Sequence, residues 1–425
     1  MGARADPVTE TGLAPADAAR RILADVRPQP ALRVPLDDAL DSVLAQDVVS
    51  PLDIPPWSNS AMDGYAVRAS DVRGASAAAP VRLRVVEHVP AGQFPTRKLG
   101  PGESARVFTG APTPEGADSV IRQEDTDLGE ATVTILRDRD AGANVRKAGE
   151  DITKGQTVLR AGTELGPAQL GVLASLAVAH PLVHRRPRVA ILASGDEIVD
   201  VDQPEAILSG HRTGSSNTHT IAALVRRAGG EPVSLGIASD TPDSLRSHLV
   251  RALESDLLVT TAGISVGEHD YLRTVLGEMG VEQRFWRLRM RPGAPVGFGL
   301  LHGIPWIGLP GNPVSTMVTF ELFARPAIRA MSGHTLPFRR TIPVRVAETI
   351  SVKPRLQHFL RAIVSQTAAG AEARLTGPQG SGILTSMALA NALLVLPEGQ
   401  LETPAGSEVR AMLLDETVHQ AEPAF

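Results

Sequence analysis

Three strand-like apolar runs in the second half of the chain each end in a loop of small residues. Residues 189–193 lead into Ser194-Gly-Asp-Glu197, residues 256–261 into Ala262-Gly-Ile-Ser-Val-Gly267, and residues 304–309 into Pro310-Gly-Asn-Pro-Val-Ser315. Glycine lets the backbone come close to a ligand, and a helix that starts after such a loop offers unpaired N–H groups to an anion. One such loop alone reads as a tight strand-to-helix turn. Three on one sheet edge predict a phosphate-binding cleft. Carboxylates fall at the same edge: Asp196 and Glu197, Asp240 after Gly236-Ile-Ala-Ser, and Asp270 at the start of the next helix. Hard oxygen donors on several loops suit Mg²⁺, which is commonly held by one or two carboxylates together with substrate phosphate. Taken singly, Asp240 and Asp270 also read as ordinary first-turn acids of helices.

In Phe285-Trp-Arg-Leu-Arg-Met-Arg-Pro292 the residues Arg287, Arg289 and Arg291 recur with period two. A strand here would turn all three guanidiniums the same way, and such forks match oxyanions. A solvated basic edge that resists strand pairing accounts for the same pattern. Gly263-Ile-Ser-Val-Gly267 has the form of a G-x-S-x-G nucleophile elbow, which would make Ser265 the nucleophile of a serine hydrolase. That reading lacks its partners: His269 is too close in sequence, His302 is unmarked beside Gly303, and no HGG-type segment lies upstream. No G-x-x-x-x-G-K-S/T and no H-E-x-x-H occurs. His180 and His184 flank Pro181 and read as surface or packing residues.

The elements that must position these groups follow from periodicity. Asn217 is placed to cap a helix whose Ile221, Leu224, Val225 and Ala228 share a face. Thr241-Pro242 opens a second helix with Leu245, Leu249 and Leu253 aligned, and further helices are expected at 267–279 and 314–331. Strands alternating with these helices over 185–331 predict an α/β fold, an open and mostly parallel sheet whose ligands bind at the carboxyl ends of the strands. Upstream, a helix is expected at 14–26 and a short one at 36–44, then a strand at 47–50 and a linker at Pro51-Leu-Asp-Ile-Pro-Pro-Trp57. Residues 63–143 read as β-rich, 167–179 as a helix, and 336–425 as β-rich again.

Composition bounds the function. The 425 residues allow two to four domains at about 100–200 residues each. Lys plus Arg is 42 against 47 Asp plus Glu, a formal charge of −5, so no bulk field attracts nucleic acid or anionic lipid and any anion site must be local. Without cysteine there are no disulfides, thiolate nucleophiles, zinc ribbons or Fe–S clusters. No run approaches the about 18 apolar residues of a membrane span, and Met1–Gly12 lacks the apolar stretch of a signal peptide. A soluble, cytoplasmic protein with neither nucleic-acid nor membrane partners is the expectation.

Ser60-Ala-Met-Asp-Gly-Tyr-Ala66 stands with Pro51-Leu-Asp-Ile-Pro-Pro56, Thr109-Gly-Ala-Pro-Thr-Pro-Glu-Gly-Ala-Asp118 and Gly149-Glu-Asp-Ile152. Ser265-Val-Gly267, Pro310-Gly-Asn-Pro-Val-Ser315, Gly380-Ser-Gly382 and Asn391 follow in order. Together these motifs resemble the molybdopterin molybdotransferase family, that of the molybdenum cofactor biosynthesis protein MoeA and the gephyrin E domain, over residues 13–415. The resemblance implies an L-shaped homodimer of four-domain chains. The implied domains are an elongated one split between 13–50 and 144–184, an inserted β-rich one at 51–143, an α/β molybdopterin-binding one at 185–335, and a C-terminal β-barrel at 336–425. The site would lie between the α/β domain of one subunit and the inserted domain of the other.

The implied reaction inserts molybdate into adenylylated molybdopterin, releasing AMP and giving molybdenum cofactor, with Mg²⁺ required. A molybdopterin adenylyltransferase is an implied partner. Asp63, Asp151, Glu197, Asp240 and Asp270 match the family's functional acids, with Glu197, Asp240 and Asp270 as the implied metal ligands. Gly263, Ser265, Gly267, Arg287, Arg291, Pro310, Gly311, Asn312 and Ser315 are the implied substrate contacts. The chain departs from the family pattern at several places. Arg287, Arg291 and Ala294 replace lysines, Ser215-Ser216-Asn217 replaces Asp-Ser-Asn, and Ala262 replaces the first glycine of its loop. A divergent paralogue, serving as a pterin-binding or scaffold module or using tungstate, is the other reading these departures leave.

Overall fold

The computed structural model describes residues 12–262, 271–368 and 370–414. The chain divides into two compact units. The first comprises Met1–Ala45, Gly162–Pro167 and His180–Phe425, and the second Gln46–Ala161 and Ala168–Ala179.

The first unit opens with helix α1 (Pro15–Asp25), which starts on proline and buries Ala18, Ala19 and Ile22. Its centre is a six-stranded sheet. In chain order the elements are β1 (Arg188–Ser194), α2 (Ser216–Arg227), β2 (Glu231–Ala238), α3 (Pro242–Arg251), β3 (Leu257–Thr261), α4 (Tyr271–Glu278), β4 (Val281–Trp286), β5 (Gly297–Leu301) and β6 (Ile304–Leu309). The strand order is β2-β1-β3-β6-β5-β4. β2, β1, β3 and β6 are parallel, as the alternation predicts, while β5 and β4 extend the sheet antiparallel. The antiparallel edge was not legible at β5. It arises from a two-residue hairpin in which His302 and Gly303 have φ of 51° and 87°, the conformation that matches the twist of paired strands. That turn gives His302 a structural task.

Both sheet faces are covered, so the parallel strands read as continuous apolar runs. Val189 and Ile191 of β1 pack on one face with Val225, Val259 and Ile307, whereas Ala190 and Leu192 pack on the other with Leu245, Leu249 and Trp306. After β6 the chain enters α5 (Pro313–Thr319), a wide five-residue turn at Phe320–Ala324, and α6 (Arg325–Met331). The single helix expected at 314–331 is thus interrupted just ahead of Pro326, which has no N–H to give the helical ladder.

The C-terminal part is a small barrel of β7 (Thr341–Val346), β8 (Gln357–Thr367), β9 (Gly370–Leu375), β10 (Ala392–Leu396) and β11 (Glu408–Leu413). The pairing runs β8-β9-β7-β11-β10 and closes through β8–β10, around Val344, Leu360, Ala362 and Leu394. Arg361 is fully buried at the barrel wall, where it donates to the Ser386 hydroxyl and to the carbonyls of Pro378, Gln379 and Gly380. The expected helix at 36–44 is only a 3₁₀ turn, Leu36–Asp38. Asp41 takes φ of 60°, and Val43 and Leu44 are drawn into bridges with Glu164 and Val183, which override a weak helical pattern.

The second unit holds an open five-stranded sheet ordered Ser119–Arg122, Gly64–Val67, Glu103–Val107, Val81–Val89, Thr132–Ile135. Gly64 is required there by proximity, because a Cβ at this position would lie 2.0 Å from the Ile121 carbonyl oxygen. Among the described residues, no helix is long and apolar enough to cross a membrane.

Candidate functional site

A cleft of about 480 Å³ opens at the carboxyl ends of the parallel strands. Ser194 ends β1, Thr261 ends β3, and Pro310, Gly311 and Asn312 follow β6; all five line it. Two helices begin at its wall. Ser215 precedes α2, its hydroxyl shared with Thr218 Oγ1 at 2.6 Å, and Asn312 precedes α5. Backbone N–H groups at such starts are natural anion donors, and α2 offers them, whereas α5 opens on Pro313, which has none, and its Val314 N–H donates to the Ser381 carbonyl at 3.2 Å.

Asn217 does not cap α2. It sits inside the first turn, and its Nδ2 donates to Thr261 Oγ1 at 2.9 Å and to the Gly311 carbonyl at 2.7 Å. One side chain thereby ties α2, the end of β3 and the loop after β6. The Thr261 and Thr316 hydroxyls donate to the Pro310 carbonyl, completing the same knot. Ala262 takes φ of 69° at the cleft, a left-handed conformation usually left to glycine and costing about 1–2 kcal/mol in other residues. Strain of this kind concentrates at functional sites.

Among the acids, Glu197 lines the cleft and is exposed. Gly195 has φ of 141°, and a Cβ there would come within 2.9 Å of the Glu197 carboxylate, so glycine makes room for it. Asp196 points elsewhere: its Oδ1 accepts the Asp240 N–H at 3.1 Å, which joins the β1 and β2 loops. Asp196 lines an adjoining acidic hollow of about 370 Å³ together with Asp200 and Asp202. The Asp200 carboxylate is held below its usual range by the Val201 N–H and then by His219 at 3.0 Å. Gly263, Ser265, Gly267 and Asp270 lie outside the described residues, and with them the elbow-like segment of the hydrolase reading.

The arginine stretch is not one strand. β4 ends at Trp286, and Arg287 breaks the extended run with φ of 68°. Leu288 then bridges Leu13, and Met290 and Arg291 pair with Gln357 and His358. The alternation nonetheless survives, with Arg287, Arg289 and Arg291 exposed and Leu288 and Met290 buried. Arg289 is occupied by Glu398 at 3.2 Å and by the Gly12 carbonyl. Arg287 and Arg291 form no ion pair among the described residues. Their segment returns through Ala294, whose carbonyl accepts the Leu288 N–H, to Pro295 at the cleft. Ser315 is buried in the first turn of α5 and does not line the cleft.

Asp63 and Asp151 belong to the second unit, and both are exposed. Asp63 precedes the strand Gly64–Val67. Its Oδ1 accepts the backbone N–H and the hydroxyl of Thr109, each at 2.8 Å. These two bonds, aided by the Arg106 charge, hold its carboxyl below the usual range. Asp151 is placed by its N–H, which donates to the Ile54 carbonyl at 3.0 Å.

Three family models cover this chain in tandem. Residues 13–177 match the MoeA N-terminal region (domain I and II), 190–330 the probable molybdopterin binding domain, and 343–414 the MoeA C-terminal region (domain IV). The chain belongs to the MoeA family. The molybdopterin molybdenumtransferase of Nostoc sp. is 36% identical over 384 residues, 88% of this chain and 86% of that protein. Molybdopterin molybdenumtransferase 2 of Mycobacterium tuberculosis is 37% identical over 387 residues, 89% and 94% of the two chains. Among solved structures, the molybdopterin biosynthesis moeA protein from Pyrococcus horikoshii OT3 superposes with a TM-score of 0.82 at 29% identity, covering 95% of this chain and 100% of that one. The multidomain architecture, an α/β sheet with a β-rich unit and a C-terminal barrel, is that of MoeA.

Proposed function

We propose that this MoeA-family chain is a molybdopterin molybdenumtransferase, which inserts molybdate into adenylylated molybdopterin, releases AMP and yields molybdenum cofactor. The observation that carries the reading is the cleft itself. Two helix starts, a glycine-containing loop and an exposed carboxylate converge on one sheet edge, in a chain related along its length to transferases of that name. The substrates are anions, and the N–H groups at the start of α2, with Arg287 and Arg291, are the groups suited to hold them. The chain has no cysteine, so the sulfurs that bind molybdenum belong to the pterin.

Oxygen-only donors on neighbouring loops support Mg²⁺ as the implied ion, while among the described residues no three acids or histidines gather into a metal-binding group. Glu197 offers an exposed carboxylate at the cleft, and Asp240 lies on the neighbouring loop, joined to the Glu197 loop through Asp196. With oxygen donors only, this is the sparse protein shell that Mg²⁺ accepts when phosphates and waters fill the rest. Glu197, Asp240 and, by resemblance, Asp270 would hold the ion, which when bound would draw charge from the phosphoanhydride. Asp63 and Asp151 complete the proposed acids. A homodimer, a cytoplasmic location, the four-part domain division and an adenylyltransferase partner belong to the same reading.

The test is AMP release by purified protein given adenylylated molybdopterin, molybdate and Mg²⁺. Asp63→Ala and Asp270→Ala should each lower the rate at least about 100-fold, as expected for loss of a positioned acid or base, in variants that still unfold cooperatively as folded proteins. Failure of the parent protein to release AMP would sink the transferase reading. Full activity in both variants would remove these acids from it.

A further inference from the structure

One corner of the second unit holds Asp63 from two sides. Thr109 bonds its carboxylate, and the Gln123 N–H donates to its carbonyl at 3.0 Å. Arg106 connects these anchors. It lies on the strand Glu103–Val107 directly opposite Tyr65, two residues from Asp63 along the neighbouring strand. Its guanidinium carbon stands 4.9 Å from the Tyr65 ring centroid and 5.2 Å from that of Phe108, the residue before Thr109. Its Nη2 donates to Gln123 Oε1 at 2.6 Å, while Nη1 is buried with no hydrogen-bond partner among the described residues.

A buried cationic NH₂ left unsatisfied is costly, and packing alone does not account for one, because an apolar side chain would fill the gap between two rings without that cost. What arginine adds is a fixed positive charge together with a fork that fixes Gln123. The charge falls beside Asp63, where it works in the same direction as the two Thr109 bonds. Asp127 and Glu130 act on the Tyr65 phenol, which burial pushes up and Arg106 pulls down, and Arg122, opposite Gly64, is paired with Asp140 at 2.8 Å.

We infer that Arg106 is a positioning residue for Asp63, bracing Gln123, whose N–H bonds the Asp63 carbonyl, and Phe108, which precedes the Thr109 that bonds the Asp63 carboxylate. The inference rests on the reading of Asp63 as an acid of the transferase reaction. It does not make Arg106 a group that touches substrate.

Two variants of the full chain test it. Arg106→Met keeps the stem between the rings and removes charge and fork; Arg106→Lys restores the charge. Asp63 titration is followed by ¹³C-carboxyl NMR, assigned with Asp63→Asn, and the pH profile of AMP release is measured in parallel. In Arg106→Met the Asp63 midpoint should rise, because the opposite charge near it is gone. The acid limb of kcat/KM should rise with it, and Arg106→Lys should recover most of both shifts. An Asp63 midpoint unmoved in folded Arg106→Met overturns the inference. A midpoint that moves while the acid limb stays in place upholds Arg106 as a positioning residue and removes Asp63 from the reaction instead.

Discussion

The imidazole of His334 is buried beside Arg329, whose Nη2 reaches His334 Nδ1 at 3.0 Å. Burial first, and that cation next, push its pKa down to about 4, with Glu164 opposing. Folded His334 therefore stays neutral while the unfolded chain takes up a proton near pH 6.5. Stability is complete above that value and falls as pH drops from about 6.5 to about 4, by on the order of 2–3 kcal/mol. His334→Gln keeps an acceptor for Arg329 and cannot titrate. Urea unfolding at pH 7 and pH 4.5 should show a smaller acid loss in the variant than in the parent, and equal losses would refute the assignment. Single residues were legible where their role is local. Glu197, Pro310, Gly311 and Asn312 reach the cleft because their loops begin where apolar runs end. Burial such as that of His334, or of Ser315, depends on what packs above, which no short motif records.

At the scale of elements, the joint that matters is the first turn of α2 against the loops after β3 and β6. Asn217 makes it with two hydrogen bonds, each worth about 0.5–1.5 kcal/mol net. Asn217→Ala should lower stability by about 1–3 kcal/mol and raise KM, because the Pro310-Gly-Asn312 loop loses its tether. Asn217→Asp should be worse, since a carboxylate cannot donate to the Gly311 carbonyl and would face it as a second acceptor. Thermal melts and steady-state AMP release compare the two, and an Asp variant milder than the Ala variant would show that the tether is not what Asn217 supplies. The helices and parallel strands were readable because their periods are regular, yet this joint was not. Polar residues at helix starts look like caps until the neighbouring strand order is known. The same limit applies to 285–291, where period two was visible but the left-handed break at Arg287 and the bridge to Leu13 were not.

For the whole molecule, a charge of −5 and a proposed pair of anionic substrates look mismatched until charge is resolved in space. The mean field repels the substrates weakly at long range, and binding falls to local groups: helix starts, whose dipoles are fixed, and Arg287 and Arg291, exposed and without ion pairs among the described residues. These contributions respond differently to salt. Exposed charges are screened over a Debye length of about 8 Å at physiological ionic strength and about 3 Å at 1 M, while backbone donors in contact with a ligand are not. KM for the adenylylated substrate should therefore rise with added KCl in the parent chain. In Arg287→Gln/Arg291→Gln it should start higher and rise less steeply, so that the two curves converge toward 1 M. Thermal stability should change by no more than about 0.5 kcal/mol, as is usual for surface substitutions. Parallel curves would mean that the two arginines act at a distance from the bound anion, leaving the start of α2 to hold it. Convergence would locate the electrostatic attraction in a few side chains on an otherwise repelling surface, which is how a mildly acidic protein selects an anion at one cleft without collecting anions elsewhere.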